Sequence, residues 1–161
     1  MDSKAKALGH PVHPMLIVFP LGLLVTAVIF DILHLITNGS GFPVAAAYTI
    51  AAGIIGGVVA GVFGLIDWVA IPAGSRAKRI GALHGIGNVL VLVLFAISWL
   101  LRTGTDWVPT VPALVLSFAG VLLGAVTGWM GGELVDRLGV GVDEGANVNA
   151  RSSLSGGPAT R

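Results

Sequence analysis

The sequence predicts an all-α fold: an integral membrane four-helix bundle built from two tandem helical hairpins, with both termini cytoplasmic. Three observations carry that expectation. The chain of 161 residues is 55% hydrophobic and only 11% charged, with a mean hydropathy of +0.92, whereas soluble domains carry about 25% charged residues. A chain of this size has no water-soluble core large enough to hide so much apolar surface. Its apolar residues also fall into four long runs, and short glycine-rich turns join them in pairs. A net charge of +1 leaves no basic footprint, so no nucleic-acid partner is expected. The absence of cysteine removes disulfides, thiolate metal sites and cysteine nucleophiles.

Each element follows from the chain in order. A helix rises about 1.5 Å per residue through a hydrocarbon layer of about 30 Å, so a span needs about 20 apolar residues. Residues 1–13 read as a cytoplasmic lead-in segment; no small-residue cleavage site of a signal peptide follows the first apolar run. The transmembrane domain covers 14–140, with spans over 14–36, 44–66, 80–101 and 110–130. Pro14 suits the first helical position, which places His13 at the cap. Asn38-Gly39-Ser40-Gly41 with Pro43 turns the chain between the first two spans, and Thr103-Gly104-Thr105-Asp106 does so between the last two. Residues 141–161, rich in Gly, Ser, Ala and Asn, read as a disordered cytoplasmic tail.

Orientation follows from Lys and Arg. Lys4, Lys6, Arg76, Lys78, Arg79, Arg137, Arg151 and Arg161 fall on one side, and Arg102 alone on the other. This bias puts both termini in the cytoplasm and suits the inner membrane of a bacterial cell. Trp68 and Trp129 then anchor the inner interface, and Trp99, Trp107 and Tyr48 the outer one.

Helices in lipid associate through close packing of small residues. Gly53, Gly57 and Gly61 in span two, and Gly120, Gly124 and Gly128 in span four, recur every four residues. They read as packing faces inside the bundle, with a homodimer interface as the alternative. The hairpins resemble one another. His13 precedes Asp31 by 18 positions and His84 precedes Arg102 by 18. Both second helices end on an acid near a tryptophan: Asp67 beside Trp68, and Glu133 after Trp129. A parallel tandem repeat of this kind has a pseudo-twofold axis along the membrane normal and sets His13 and His84 at matching depth.

Ionisable residues in spans are costly and are candidates for function. His10, His13, Asp67, His84 and Glu133 fall at the cytoplasmic ends of the spans. Carboxylates and imidazoles together suit zinc, iron, manganese or a proton relay. His13 and His84 on different helices suit the axial positions of a b-type haem, and Gly85 and Gly87 leave room for a flat ligand. Capping and helix–helix hydrogen bonds are the plainer roles for these histidines, and pairing with loop arginines is the plainer role for the acids. Glu133 has Arg137 four residues on as a helical partner. At the outer side, Asp31 and His34 lie three apart on one face and form a polar pair. No serine triad, phosphate loop, zinc-protease helix or dinucleotide fingerprint is present, so no catalytic residue is assigned.

Three strings carry a family resemblance: Gly9-His10-Pro11-Val12-His13-Pro14; Gly64-Leu65-Ile66-Asp67-Trp68 with Ile71-Pro72 and Arg76-Ala77; and Gly131-Gly132-Glu133-Leu134-Val135 with Gly139-Val140-Gly141-Val142. The chain resembles the bacterial membrane proteins of the domain of unknown function 2231 family over residues 8 to 142. The resemblance implies a fold and a membrane location but no settled activity. Relatives joined to Rieske-type iron–sulfur domains imply a redox setting for part of the family. Relatives carry an aromatic residue and a histidine where this chain has Asp136 and Leu138, which alters any ligand set that includes that histidine. Three functions stay open: a redox-associated subunit with a haem or divalent-metal site at the cytoplasmic face and a redox partner; a structural or partner-binding subunit; and a small-solute or proton pathway.

Overall fold

A computed structural model describes residues 1–155. A two-residue hairpin pairs β1 (Lys6–Ala7) with β2 (His10–Pro11). Leu8 and Gly9 between them both have positive φ, the backbone of the tight turn that matches strand twist. The first span is α1 (Val12–Leu16) and α2 (Val18–Thr37), followed by α3 (Gly41–Ala70), α4 (Arg76–Arg102) and α5 (Val111–Gly132). Four helices of 26, 30, 27 and 27 residues are long and apolar enough to cross a membrane. Each runs a few residues past the apolar stretch, because helical hydrogen bonds and caps persist into the interface. Ser75 caps α4 by accepting from the Lys78 amide, and Thr110 caps α5 by accepting from the Ala113 amide.

Three local departures mark the ends of the spans. The first span is interrupted at Ile17 because Pro20 has no N–H to donate to the Leu16 carbonyl one turn back. At the far end, Glu133–Arg137 forms a π-helical turn that prolongs α5, closed by the Leu138 amide on the Glu133 carbonyl. The helix also starts earlier than expected, with Pro11 rather than His13 at the cap. Pro14 still falls in the first turn, where the amide it lacks has no partner to lose.

Around the bundle the helices follow in the order α2, α3, α4, α5, so α2 and α4 are diagonal. The repeat is visible residue by residue. A shift of 71 positions carries the first span onto α4, and one of 67 carries α3 onto α5. Leu24 lies over Gly53 as Phe95 lies over Gly120, and the counterparts Ala46 and Ala113 are both fully buried. The core consists of Leu24, Ala27, Val28, Ala46, Ile50, Val91 and Phe95.

The glycine stripes serve this packing only in part. A Cβ on Gly53 would lie 2.7 Å from Leu24 Cδ2, on Gly57 2.6 Å from Leu92 Cδ2, and on Gly120 2.7 Å from Phe95 Cε2. Gly61, Gly124 and Gly128 instead face open space. Residues spaced by four drift about 40° around the helix at each step, so a stripe that begins against one neighbour turns away from it.

At the loop end opposite the termini, Arg102 and Asp31 meet on the bundle axis. Arg102 Nη1 and Nη2 donate to Asp31 Oδ1 and Oδ2 at 2.6 and 2.7 Å, and both side chains are fully buried. Ser98 Oγ and Ser117 Oγ also accept from Nη2, at 3.3 and 3.1 Å. The expected Asp31–His34 pair is therefore corrected. A buried carboxylate takes the two charge-assisted bonds of a guanidinium in preference to an imidazole; His34 Nδ1 bonds the Gly39 carbonyl at the end of α2. Arg102 is no loop cation but a core residue.

Four variants test this packing. Asp31→Asn strands a buried guanidinium and should lower stability by about 3–5 kcal/mol, read as thermal unfolding in detergent. The exchange Asp31→Arg with Arg102→Asp should recover only part, since Ala27 and Ile50 stand where Ser98 and Ser117 support Arg102. In the same assay Gly53→Leu should cost about 1–3 kcal/mol through overpacking, while Gly124→Leu should be neutral.

Candidate histidine site

The other end of the axis carries His13 and His84. His13 lies in the first turn of α1, and its Nδ1 bonds the Ala60 carbonyl of α3 at 2.8 Å. His84 lies two turns into α4, and its Nδ1 bonds the Thr127 carbonyl of α5 at the same distance. Each ring lies over a glycine one turn further on. A Cβ on Gly64 would come within 3.0 Å of His13 Cε1, and one on Gly131 within 3.2 Å of His84 Cε1. The ring centroids are 6.4 Å apart with planes at 86°. The sequence's matching-depth expectation for this pair thus appears as a direct approach of the two rings.

A carbonyl only accepts, so each Nδ1 carries a hydrogen, and in the neutral ring it is Nε2 that presents the lone pair. The two lone pairs differ. Asn88 Nδ2 donates to His84 Nε2 at 3.2 Å and to the His84 carbonyl at 2.9 Å, while Asn88 Oδ1 accepts from Thr127 Oγ1 at 3.0 Å. No hydrogen-bond partner of His13 Nε2 occurs among the described residues. Asn88 and Thr127 were not singled out from the sequence. Their signal lay in the repeat, where their counterparts are the apolar Ile17 and Ala60.

The remaining candidates are committed elsewhere. Asp67 accepts from Ser3 Oγ at 2.8 and 2.9 Å, and from the amides of Lys4 and Ala5 at 2.7 and 3.3 Å. It clamps the N-terminal segment rather than orienting an imidazole. Glu133 pairs with Arg76 at 2.7 Å, not with Arg137. The four-residue rule belongs to the α-helix, and the wider π turn takes Arg137 off that face. His10 is exposed on β2, on the strand that precedes the helix bearing His13, and its Nε2 shares a hydrogen bond of 3.2 Å with Ser153 Oγ. Among the described residues, no three His, Cys, Asp or Glu side chains come together as a metal-ion donor set. The five-residue set His10, His13, Asp67, His84 and Glu133 thus reduces to two imidazoles. The room for a flat ligand expected at Gly85 and Gly87 is not found at the rings: Gly85 is exposed and faces outward, and a Cβ on Gly87 would lie 2.5 Å from Thr127 Cγ2.

A cap surrounds this end. Lys78 Nζ bonds the Trp68 carbonyl at 2.7 Å and stands 3.9 Å from the indole centre, and Trp68 Nε1 returns a bond to the Lys78 carbonyl at 3.0 Å. A cation on the final carbonyls of α3 complements its dipole. Residues 141–152 are turns and irregular chain, Ser153–Ser155 form a 3-10 turn, and 156–161 of the expected disordered tail lie outside the described residues. The Gly141 amide bonds the Met1 carbonyl, and Lys6 pairs with Asp143. The hydrogen bond to Asp143 raises the Lys6 pKa, and the same bond lowers that of Asp143.

Four antiparallel helices, each long and apolar enough to cross a membrane and with its backbone hydrogen bonds made within the helix, define a multi-pass membrane protein. The chain belongs to the family described as predicted membrane protein (DUF2231), matched over residues 9–144. No curated protein and no solved structure matches it.

Asp67→Ala should free the N-terminal segment without unfolding the spans, read as faster amide exchange over residues 3–12 alone. In the intact chain the Lys6–Asp143 tether should persist at neutral pH. A depressed Asp143 pKa keeps the pair charged above the usual carboxylate value of 3.8 and for some way below it. The tether is lost only as pH falls through the lowered value.

Proposed function

We propose that the chain is a redox-associated membrane subunit that binds a metal-containing cofactor at His13 and His84. The observation that carries this reading is the approach of two repeat-related imidazoles, each fixed through Nδ1 by a backbone carbonyl, with Nε2 of His13 without a hydrogen-bond partner among the described residues. Holding one ring nitrogen in this way orients the other for ligation. A donor set of two favours haem, whose macrocycle supplies four further nitrogens, over a bare divalent ion that draws three or four ligands from protein. Bound haem would supply a one-electron couple; the chain's own part is to position the imidazoles and keep the surrounding spans apolar.

The basic bias supports an inner-membrane orientation with this pair near the cytoplasmic face. A small-solute or proton pathway is less well supported, because the layer between the histidines and the Asp31–Arg102 pair is filled by Leu24, Ile50, Val91 and Phe95.

The test is absorption spectroscopy and metal analysis of protein purified in detergent. A Soret band that persists in His34→Ala and vanishes in the double variant His13→Ala/His84→Ala is the expected result. A metal without a Soret band points to the divalent-ion form of the site. Neither band nor metal overturns the reading and leaves a structural or partner-binding subunit.

A further inference from the structure

Arg102 has one donor left over. The residue is fully buried, and its Nε is the single buried side-chain nitrogen or oxygen without a hydrogen-bond partner among the described residues. Buried polar atoms are nearly always paired, with protein or with ordered water. A guanidinium is planar and holds its five N–H bonds in a fixed fork, which decides where the Nε hydrogen goes. Asp31 takes Nη1 and Nη2 end-on. The second Nη2 hydrogen runs parallel to the Nε hydrogen, and Nη2 is the nitrogen that also reaches Ser98 Oγ and Ser117 Oγ. The Nε hydrogen therefore faces the serine side of the axis. There the two hydroxyls stand 2.7 Å apart, and they reach the Ala113 carbonyl at 2.7 and 3.1 Å.

We propose that Arg102 Nε and this serine pair bind one buried water. The chemistry asks for a small molecule that accepts from Nε and donates to a serine oxygen. The Asp31–Arg102 pair already balances its charges, so an anion at this place would be buried without a counter-charge. Water is neutral and both accepts and donates. The loop over the end of α4 keeps it there. Asp106 and Trp107 are consecutive non-glycine residues with φ of 49° and 67°, a backbone that persists only where its surroundings hold it. The Trp107 amide bonds the Arg102 carbonyl at 3.1 Å, and the Trp107 ring packs on Trp99 with centroids 5.3 Å apart. The strained turn thus lays an indole pair beside the end of the helix that carries Arg102, and the bound water exchanges only when the loop opens.

The experiment is proton NMR of the full chain in detergent, with isotope-labelled arginine. The Arg102 Nε hydrogen should give a cross-peak to water with the sign of a long-lived bound molecule, while those of the exposed Arg76 and Arg79 exchange freely. Trp107→Ala should speed exchange of the Arg102 Nε hydrogen about tenfold by easing local opening. Ser117→Ala should weaken the water cross-peak and leave Nη1, which bonds Asp31, unmoved. An Nε hydrogen without a water cross-peak, or one that exchanges as fast as those of Arg76 and Arg79, overturns the site. So does a cross-peak unchanged in both Ser117→Ala and Ser98→Ala. A resonance that shifts with chloride concentration marks an anion in place of water and overturns it too. Unchanged exchange in Trp107→Ala overturns the part assigned to the loop.

Discussion

The Asp31–Arg102 pair is the constraint on which the bundle depends. Apolar spans have little hydrophobic reason to choose one another in lipid. A carboxylate and a guanidinium with no exposure at all have no alternative partner there. Separating the hairpins would leave both charges in hydrocarbon, at a cost that exceeds any single packing contact. The pair therefore selects which helices are diagonal and fixes their depth. Its surroundings are arranged for it. Ser98 and Ser117 accept from the guanidinium. The amides of Thr105 and Trp107 and the hydroxyl of Thr105 converge on the Arg102 carbonyl, so the loop folds over the end of α4.

Depth fixed at one end determines what meets at the other. Asp31 and Arg102 are 18 positions beyond His13 and His84 on repeat-related helices. Once the charged pair is joined on the pseudo-twofold axis, the histidines must arrive at one level. Gly64 and Gly131 allow the rings to lie against α3 and α5, and the Ala60 and Thr127 carbonyls fix their tilt. The approach of the rings is therefore a consequence of the fold rather than a separate device.

Much of this was legible in the chain. Four apolar runs, two short turns and the paired spacing of His13 with Asp31 and His84 with Arg102 define the hairpins and their repeat. The partners of the polar groups were not. Asp31 has a neighbour at the right helical spacing in His34, and sequence distance favoured it over a residue 71 positions away. Treating Arg102 as a loop cation hid the true pair, although the repeat already set the two at equivalent positions. Glu133 was matched to Arg137 by a rule that fails where the helix widens. The glycine stripes looked uniform because a spacing of four resembles a helical face, and only the accumulated drift separates Gly53 from Gly61. Asn88 signalled itself only by breaking the repeat, as a polar residue within a span where the first hairpin has Ile17.

Several positions where the two halves differ lie where they meet, near the axis they share. On a true twofold axis each residue meets its own copy. A symmetric dimer of one hairpin would bring together two aspartates or two arginines, and in hydrocarbon neither arrangement is tolerable. One chain containing both hairpins escapes this limit, because each copy can carry a different residue at the same position. Asp31 opposite Arg102 is one such divergence; Ile17 against Asn88 and Ala60 against Thr127 are others. The scaffold positions keep the symmetry: Ala46 with Ala113, Gly53 with Gly120, and Gly64 with Gly131. Small residues are kept where backbones or rings approach, and unlike residues appear where the halves touch on the axis. The fastening at one end and the inequivalence of the histidines at the other have the same origin. Both require a repeat that is symmetric in backbone and asymmetric in side chain, which covalent linkage of the hairpins makes available.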